Sequence, residues 1–474
     1  MSFETHPHSW LSPIRMRALL YVTGGLSLLL LVIAAVALEI EPFWLLLAAP
    51  VPVLLPVLVR KFPVVLMVAV VYVGNFKSQA AAGVSLTDPT LVAVALLYVA
   101  VFLKLFLVTT GIEQGSLRDL FAGQTLRVVA FFLLILVVAI SYTYTPAPVI
   151  GSEKLLKLIG FDFLALVAPL ILLRGERDVR RLVLLSMLLS VALAGRTVYR
   201  VLHPTVTVLR GDEDPTQIGA GLLSATAVLM VLYFPLATKR VHRALLGVCI
   251  AILTIATVAS LSRSAILSLL LVAAASLVFL RLDQVSLSKR SILLAVATVI
   301  VVVSLSALWL RHLPATYSKF AIKAAELSAV FKGSAPAGTA GQRYSFAESA
   351  WQAFLAKPLL GWGVGGWSTL WHYSDERVLT HPHNFVLEIA AEQGIVGLTA
   401  LGLVFAAIIG ACATVVKAPG KRFVFIVPVV MLCLLSNAVT GQLEERNTWF
   451  WCGTLFALAR LARHQQQHPG EISA

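Results

Sequence analysis

His383-Asn384 stands where the polar stretch Trp371-His-Tyr-Ser-Asp-Glu-Arg377 gives way to the apolar run Phe385-Val-Leu-Glu-Ile-Ala-Ala391. Asparagine is a good helix N-cap, because its side-chain oxygen accepts from the free amides of the first turn. A histidine at that end meets the positive pole of the helix dipole, which disfavours imidazolium. The ring is therefore expected to be neutral near pH 7 and able to take a proton; the alternative is an interfacial histidine that only assists the cap. Arg263 interrupts the apolar stretch Val258-Ala-Ser-Leu-Ser-Arg263-Ser-Ala-Ile-Leu267 with no acid beside it. A lone arginine at membrane depth is costly and is usually functional or paired. Arg196, Arg200 and Arg210 fall in one outer segment and Arg343 in a longer one. Together with Arg263 they offer an outward-facing anion site, since a guanidinium fork matches phosphate oxygens bidentately. Arg196 and Arg200 also read as a solvated or headgroup-facing pair.

The acidic residues are less suggestive. Asp212-Glu213-Asp214 is the one acidic cluster outside, and three adjacent acids ended by Pro215 make a poor metal cage, so no metal is expected. Asp162 lies inside an apolar run, downstream of Lys154 and Lys157, where pairing with a polar neighbour is the common fate. Glu388 and Glu392 are four apart on the helix that follows His383 and are placed to orient basic partners. Gly394-Ile-Val-Gly397 puts two glycines on one helix face, a pattern for close helix packing. Walker, HExxH and GxSxG motifs are missing from the chain. Cys249, Cys412, Cys433 and Cys452 sit in apolar runs without CxxC spacing, which argues against a disulfide framework or a zinc site.

These residues need a membrane to position them. Of 474 residues, 59% are hydrophobic and 13% charged, with a mean hydropathy of +0.90. A soluble fold cannot bury that much apolar surface, so the chain reads as an all-α polytopic membrane protein. Candidate spans are 18–38, 42–59, 62–76, 90–110, 128–146, 155–173, 182–199, 217–237, 244–261, 264–280, 292–310, 385–415, 423–439 and 448–462. Prolines 50, 52, 56 and 63 break up the second and third, so the expected count is 12 within a range of 12–14. With the N-terminus inside, the short inner loops carry 21 Lys and Arg and the short outer loops 8. That asymmetry makes both termini cytoplasmic and turns residues 311–382 outward. The net charge of +14 is thereby assigned to loops and headgroups rather than to nucleic acid. The run after Arg15 and Arg17 exceeds a signal-peptide core and reads as an uncleaved anchor.

Three regions follow: a helix bundle over 1–310, an outer loop over 311–383, and closing helices with a tail over 384–474. Within the loop, Phe320, Ala324, Leu327 and Phe331 predict an amphipathic surface helix, and 332–341 a mobile glycine-rich connection. A second helix is predicted from Arg343 to Ala356, with Phe346, Ala350, Trp351 and Phe354 on one face. Gly361-Trp-Gly-Val-Gly-Gly366 then forms a tight turn.

His383-Asn384, nine further residues and Gly394-Ile-Val-Gly397 resemble the signature of the O-antigen ligase and O-antigen polymerase superfamily. Ser262-Arg263-Ser264, Arg343 followed by Trp351, and Pro358-Leu-Leu-Gly-Trp-Gly-Val-Gly365 add to it, so the resemblance covers roughly residues 210–455. It implies a GT-C-like glycosyltransferase of the Gram-negative inner membrane with its site facing the periplasm. The implied donor is a glycan on undecaprenyl pyrophosphate, and the implied acceptor in the ligase branch is a sugar hydroxyl of lipid A-core; no cofactor is implied. Chain size favours a ligase. An O-antigen polymerase and an O-linked protein oligosaccharyltransferase remain alternatives, and a transporter of a lipid-linked anion is the alternative of another class. For a ligase, His383 would be the general base. Arg210, Arg263 and Arg343 would bind the pyrophosphate, with Arg196, Arg200, Asn384 and Glu388 in support.

Overall fold

The computed structural model describes residues 62–76, 89–111, 120–121, 123–202, 215–234, 240–260, 262–279, 338–370, 381–419 and 422–467. Among them every regular element is helical. In chain order these are α1 Pro63–Tyr72, α2 Pro89–Thr109, α3 Thr125–Ser141, α4 Pro148–Lys157, α5 Phe163–Leu172, α6 Glu176–Leu202 and α7 Pro215–Tyr233. They continue as α8 Arg240–Ala259, α9 Arg263–Phe279, α10 Gly338–Ala356, α11 Gly366–Leu370, α12 Phe385–Lys417, α13 Ile426–Thr440 and α14 Arg446–Gln467.

Five stretches among the described residues are long and apolar enough to cross a membrane: α2, α3, the joined α4–α5, α6 and α12. α1, α7, α8, α9 and α13 are shorter apolar helices. The expected spans 18–38, 42–59 and 292–310 lie outside the described residues, as do the amphipathic helix over 320–331, Arg210 and Asp212–Asp214. The last expected span, 448–462, corresponds to α14, which is enclosed by the bundle. Trp449, Phe450, Trp451, Leu455 and Phe456 along it are all buried. From Trp449 to Ala459 it is buried on every face, as befits a helix surrounded by protein.

α12 packs along α3, α14 along α5, and α6, α7 and α8 pack on one another. α9 lies against α13, and α10 crosses the start of α12. α4 and α5 are joined by a single π turn, Leu158–Asp162. Asp162 is buried there, and its Oδ2 has no hydrogen-bond partner among the described residues.

α10 begins at Gly338, so the predicted mobile connection over 332–341 is already helical at its end. Its inward stripe is Phe346, Ala350 and Ala353, packed on Trp367. Trp351 is 47% exposed, because it lies about 100° round the helix from Ala350. It leans on Phe354 instead of the core, with ring centroids 5.3 Å apart.

Candidate active site

Asn384 caps α12: its Oδ1 accepts from the Val386 and Leu387 amides at 3.0 and 3.1 Å. His383 precedes it with φ +56°, in the left-handed region that non-glycine residues enter only at a cost. Its ring is sandwiched by neighbours. Phe346 stacks on it with centroids 5.8 Å apart, and the His381 ring meets it edge-on at 4.4 Å. His383 Nδ1–H donates to the Thr440 carbonyl at 3.5 Å. A carbonyl only accepts, so the Nδ1–H tautomer is the one that fits this contact, and it leaves Nε2 as the basic nitrogen. Thr440 Oγ1 in turn donates to Ser264 Oγ at 3.0 Å, tying the Ser262-Arg263-Ser264 segment to the same corner.

His381 and His383 line a cavity of about 660 Å³ together with Arg343, Asn437, Thr440, Gln442, Glu445 and Arg446. α1, α7, α10, α13 and the Gly441–Glu445 hairpin contribute its walls. Two guanidiniums and two imidazoles in one hollow suit an anionic ligand. Asn437 is buried, and neither its Oδ1 nor its Nδ2 has a hydrogen-bond partner among the described residues. Burial holds the His381 imidazole down at about 4; Glu388 opposes this, while His383, Lys154 and Arg343 reinforce it. Burial also raises the Glu445 carboxyl, with Arg446 pulling the other way.

Beneath the cavity lies a buried charge cluster. Lys154 of α4 pairs with Glu388 and, at 2.7 Å, with Glu392; all three are buried. Glu388 Oε2 also accepts from the Leu443 amide at 2.9 Å. The cluster therefore joins α4, the first turns of α12 and the hairpin that leads to Arg446. Glu444 of the same hairpin is buried too. Desolvation pushes its carboxyl up to about 8, Lys154 opposes that shift, and Glu388 and Glu392 add to it.

A second device fixes the start of α12. Gly394 has φ +63° and ψ −152°, which breaks the helix. The Pro358–Gly365 loop docks into the break. Ile395 N–H donates to Pro358 O at 2.8 Å, Trp362 N–H to Ala391 O at 3.0 Å, and Gly363 N–H to Glu392 O at 2.8 Å. A Cβ on Gly394 would lie 2.5 Å from the Leu359 carbonyl. The expectation that Gly394 and Gly397 form a helix-packing face is thus corrected. Gly394 is needed for a backbone conformation that only glycine adopts readily, and for the approach of another backbone.

Of the sequence candidates, the structure brings His383 and Arg343 to the cavity. Arg263 begins α9, one residue from Ser264. Arg196 Nη1 donates to Asn75 O at 2.6 Å, and Asn75 is a lining residue, so Arg196 supports the wall from behind. Arg200 lies in the last turns of α6. Glu388 is one layer below the cavity. Sequence reasoning missed Arg446, Asn437, His381 and the partner of Glu388. The signal for the hairpin was present in Glu444-Glu445-Arg446, a charged triplet between two apolar runs.

A family model described as O-Antigen ligase matches residues 248–402. The matched segment contains Arg263, Arg343, His381, His383 and Gly394, whereas Lys154 and Arg446 lie outside it. No curated protein matches the chain. The match supports the superfamily and a membrane glycosyltransferase-type role in O-antigen or lipopolysaccharide assembly, with a lipid-linked glycan donor and a lipid acceptor.

Proposed function

We propose that the protein is an O-antigen ligase: an inverting membrane glycosyltransferase that moves O-antigen from undecaprenyl pyrophosphate to a sugar hydroxyl of lipid A-core. The observation that carries this reading is the convergence of His383, Arg343 and Arg446 on one cavity at the outer edge of the bundle. The acceptor hydroxyl gives its proton to Nε2 of His383 as its oxygen attacks the anomeric carbon. The bond from that carbon to the pyrophosphate oxygen breaks on the opposite face, and the lipid pyrophosphate leaves with the electron pair. Arg343 and Arg446, with Arg263 and Arg210, neutralise the departing charge, so this mechanism needs no divalent metal. One displacement inverts the anomeric configuration.

Topology enters the same proposal. Both termini are cytoplasmic, and the outer loop 311–383 separates the N-terminal bundle 1–310 from the closing helices 384–474, presenting the cavity to the periplasm of a Gram-negative inner membrane. Label reaching a cysteine at Ser334 in intact spheroplasts supports that arrangement; label reaching it only after permeabilisation removes it.

Reconstitution with purified lipid-linked O-antigen and rough lipopolysaccharide tests the chemistry. His383→Ala is expected to slow transfer about 10²–10⁴-fold while donor affinity survives. Near wild-type transfer, or an affinity loss in proportion to rate, refutes the base assignment. Activity abolished by chelation and restored by magnesium refutes metal independence.

A further inference from the structure

A second hollow, of about 590 Å³, opens between α3 and α12. It belongs to the other end of the molecule. Ser141, at the far end of α3, accepts from the Val364 amide and from Gln393 Nε2, next to the break in α12. The hollow lies at Thr125–Leu133 and Leu403–Gly410. At 1.5 Å per residue this is roughly 12–25 Å farther along both helices. The charge asymmetry of the loops assigns that end to the cytoplasm.

Its floor is apolar and made of small residues: Ala130, Ala406, Ala407 and Gly410. A Cβ on Gly410 would meet nothing within 4 Å, so helix packing does not require glycine there and the groove is open above it. Leu126 stands at the rim, 84% exposed. Two guanidiniums, Arg127 and Arg463, close one end. Arg127 is buried and fixed: it donates to Gln124 Oε1 at 2.5 Å and to Thr414 Oγ1 at 3.2 Å, and lies 5.8 Å from the Phe456 ring centre. Arg463 Nη1 donates to Gly123 O at 3.0 Å. Each fork has further N–H groups beyond those contacts. No carboxylate lines the hollow among the described residues. Two like charges at the closed end of an apolar trough call for a molecule with an anionic head and a long apolar chain.

We propose that this groove is a binding site for an anionic phospholipid of the facing leaflet. One acyl chain lies along the small-residue floor, and the phosphate sits between Arg127 and Arg463. The site is separate from the His383 cavity, and its occupancy does not depend on the reaction proposed there. It would clamp α3 to α12, the helix whose other end carries His383.

Native mass spectrometry of the full-length protein in detergent, titrated with phosphatidylglycerol or phosphatidylcholine, tests this. The expected result is a retained phosphatidylglycerol adduct that outcompetes phosphatidylcholine. Arg463→Gln is expected to weaken it about 5-fold, the effect of one basic residue at an anionic headgroup. Gly410→Leu fills the groove without touching either arginine and is expected to remove the adduct while elution and melting stay as in wild type. Equal retention of both lipids overturns the proposal. So does an unchanged adduct in Gly410→Leu, and so does displacement of phosphatidylglycerol by an equal concentration of inorganic phosphate, which would mark an ion site rather than a lipid site.

Discussion

Removing Lys154 should unlock the hairpin beneath the cavity. In Lys154→Met the side chain is one atom shorter and loses its charge, leaving Glu388 and Glu392 buried with no cation between them. At an effective dielectric of about 20, unit charges 2.7 Å apart attract by about 6 kcal/mol. Desolvation of the lysine offsets part of that, and removing one member of such a buried group typically costs about 3–5 kcal/mol. The neighbouring Glu444, already driven toward its protonated form, cannot supply the missing positive charge. With about 2–4 °C per kcal/mol, the apparent melting midpoint should fall by about 6–20 °C. Tryptophan fluorescence of the detergent-solubilised protein at a fixed scan rate reads it. Glu392→Gln should shift the midpoint far less, because Lys154 retains Glu388. Adding Glu392→Gln to Lys154→Met should restore part of the loss, since only one uncompensated carboxylate then remains. A Lys154→Met midpoint equal to wild type, or a double variant with less than about 0.5 kcal/mol of coupling, would refute the reasoning.

Three further outcomes follow from the same region. Gly394→Ala should lose about 1–3 kcal/mol from backbone strain alone and expel the Pro358–Leu359 backbone, with transfer activity falling alongside melting temperature; an unaffected variant would mean that the break is not required. Glu444 has a folded pKa raised to about 8, so its burial costs stability progressively as pH rises from about 4.5 to 8. Glu444→Gln should therefore stabilise most at pH 8 and little at pH 4.5, read as the difference in midpoint between variant and wild type, and a pH-independent difference would contradict this. His381 behaves in the opposite sense. Its folded pKa of about 4 means the unfolded chain protonates first, and about 3 kcal/mol is lost as pH falls from about 6.5 to 4. His381→Phe should flatten that acid limb, and an unchanged limb would show that the ring is not the titrating group.

Much of the helical layout was legible from apolar runs alone. α2, α7, α8, α9, α12 and α13 start and stop within four residues of the expected spans, because burial in lipid or protein demands such runs whatever the tertiary contacts. His383-Asn384 was legible because capping is local. The pairing of Lys154 with Glu388 was not, since 234 residues separate them and no periodicity spans that gap. Arg446 was counted as one more loop arginine, because its place in the cavity depends on how α13 and α14 turn at Gly441–Glu445. Gly394 and Gly397 were misread because their spacing fits an unbroken helix. Only the docked Pro358–Gly365 backbone shows that the helix stops there.

That interruption has a consequence for how the chain can change. In a continuous helix, inserting or deleting one residue rotates everything beyond it by about 100°. Were α12 continuous, such a change in its long lipid-facing portion would swing His383 away from the cavity or force the whole helix to re-seat. The joint at Gly394 instead sets the rotational register of Phe385–Gln393 by hydrogen bonds to a neighbouring loop. The membrane portion beyond the joint can thus drift in length and composition without turning Phe385–Gln393, and the histidine keeps its address.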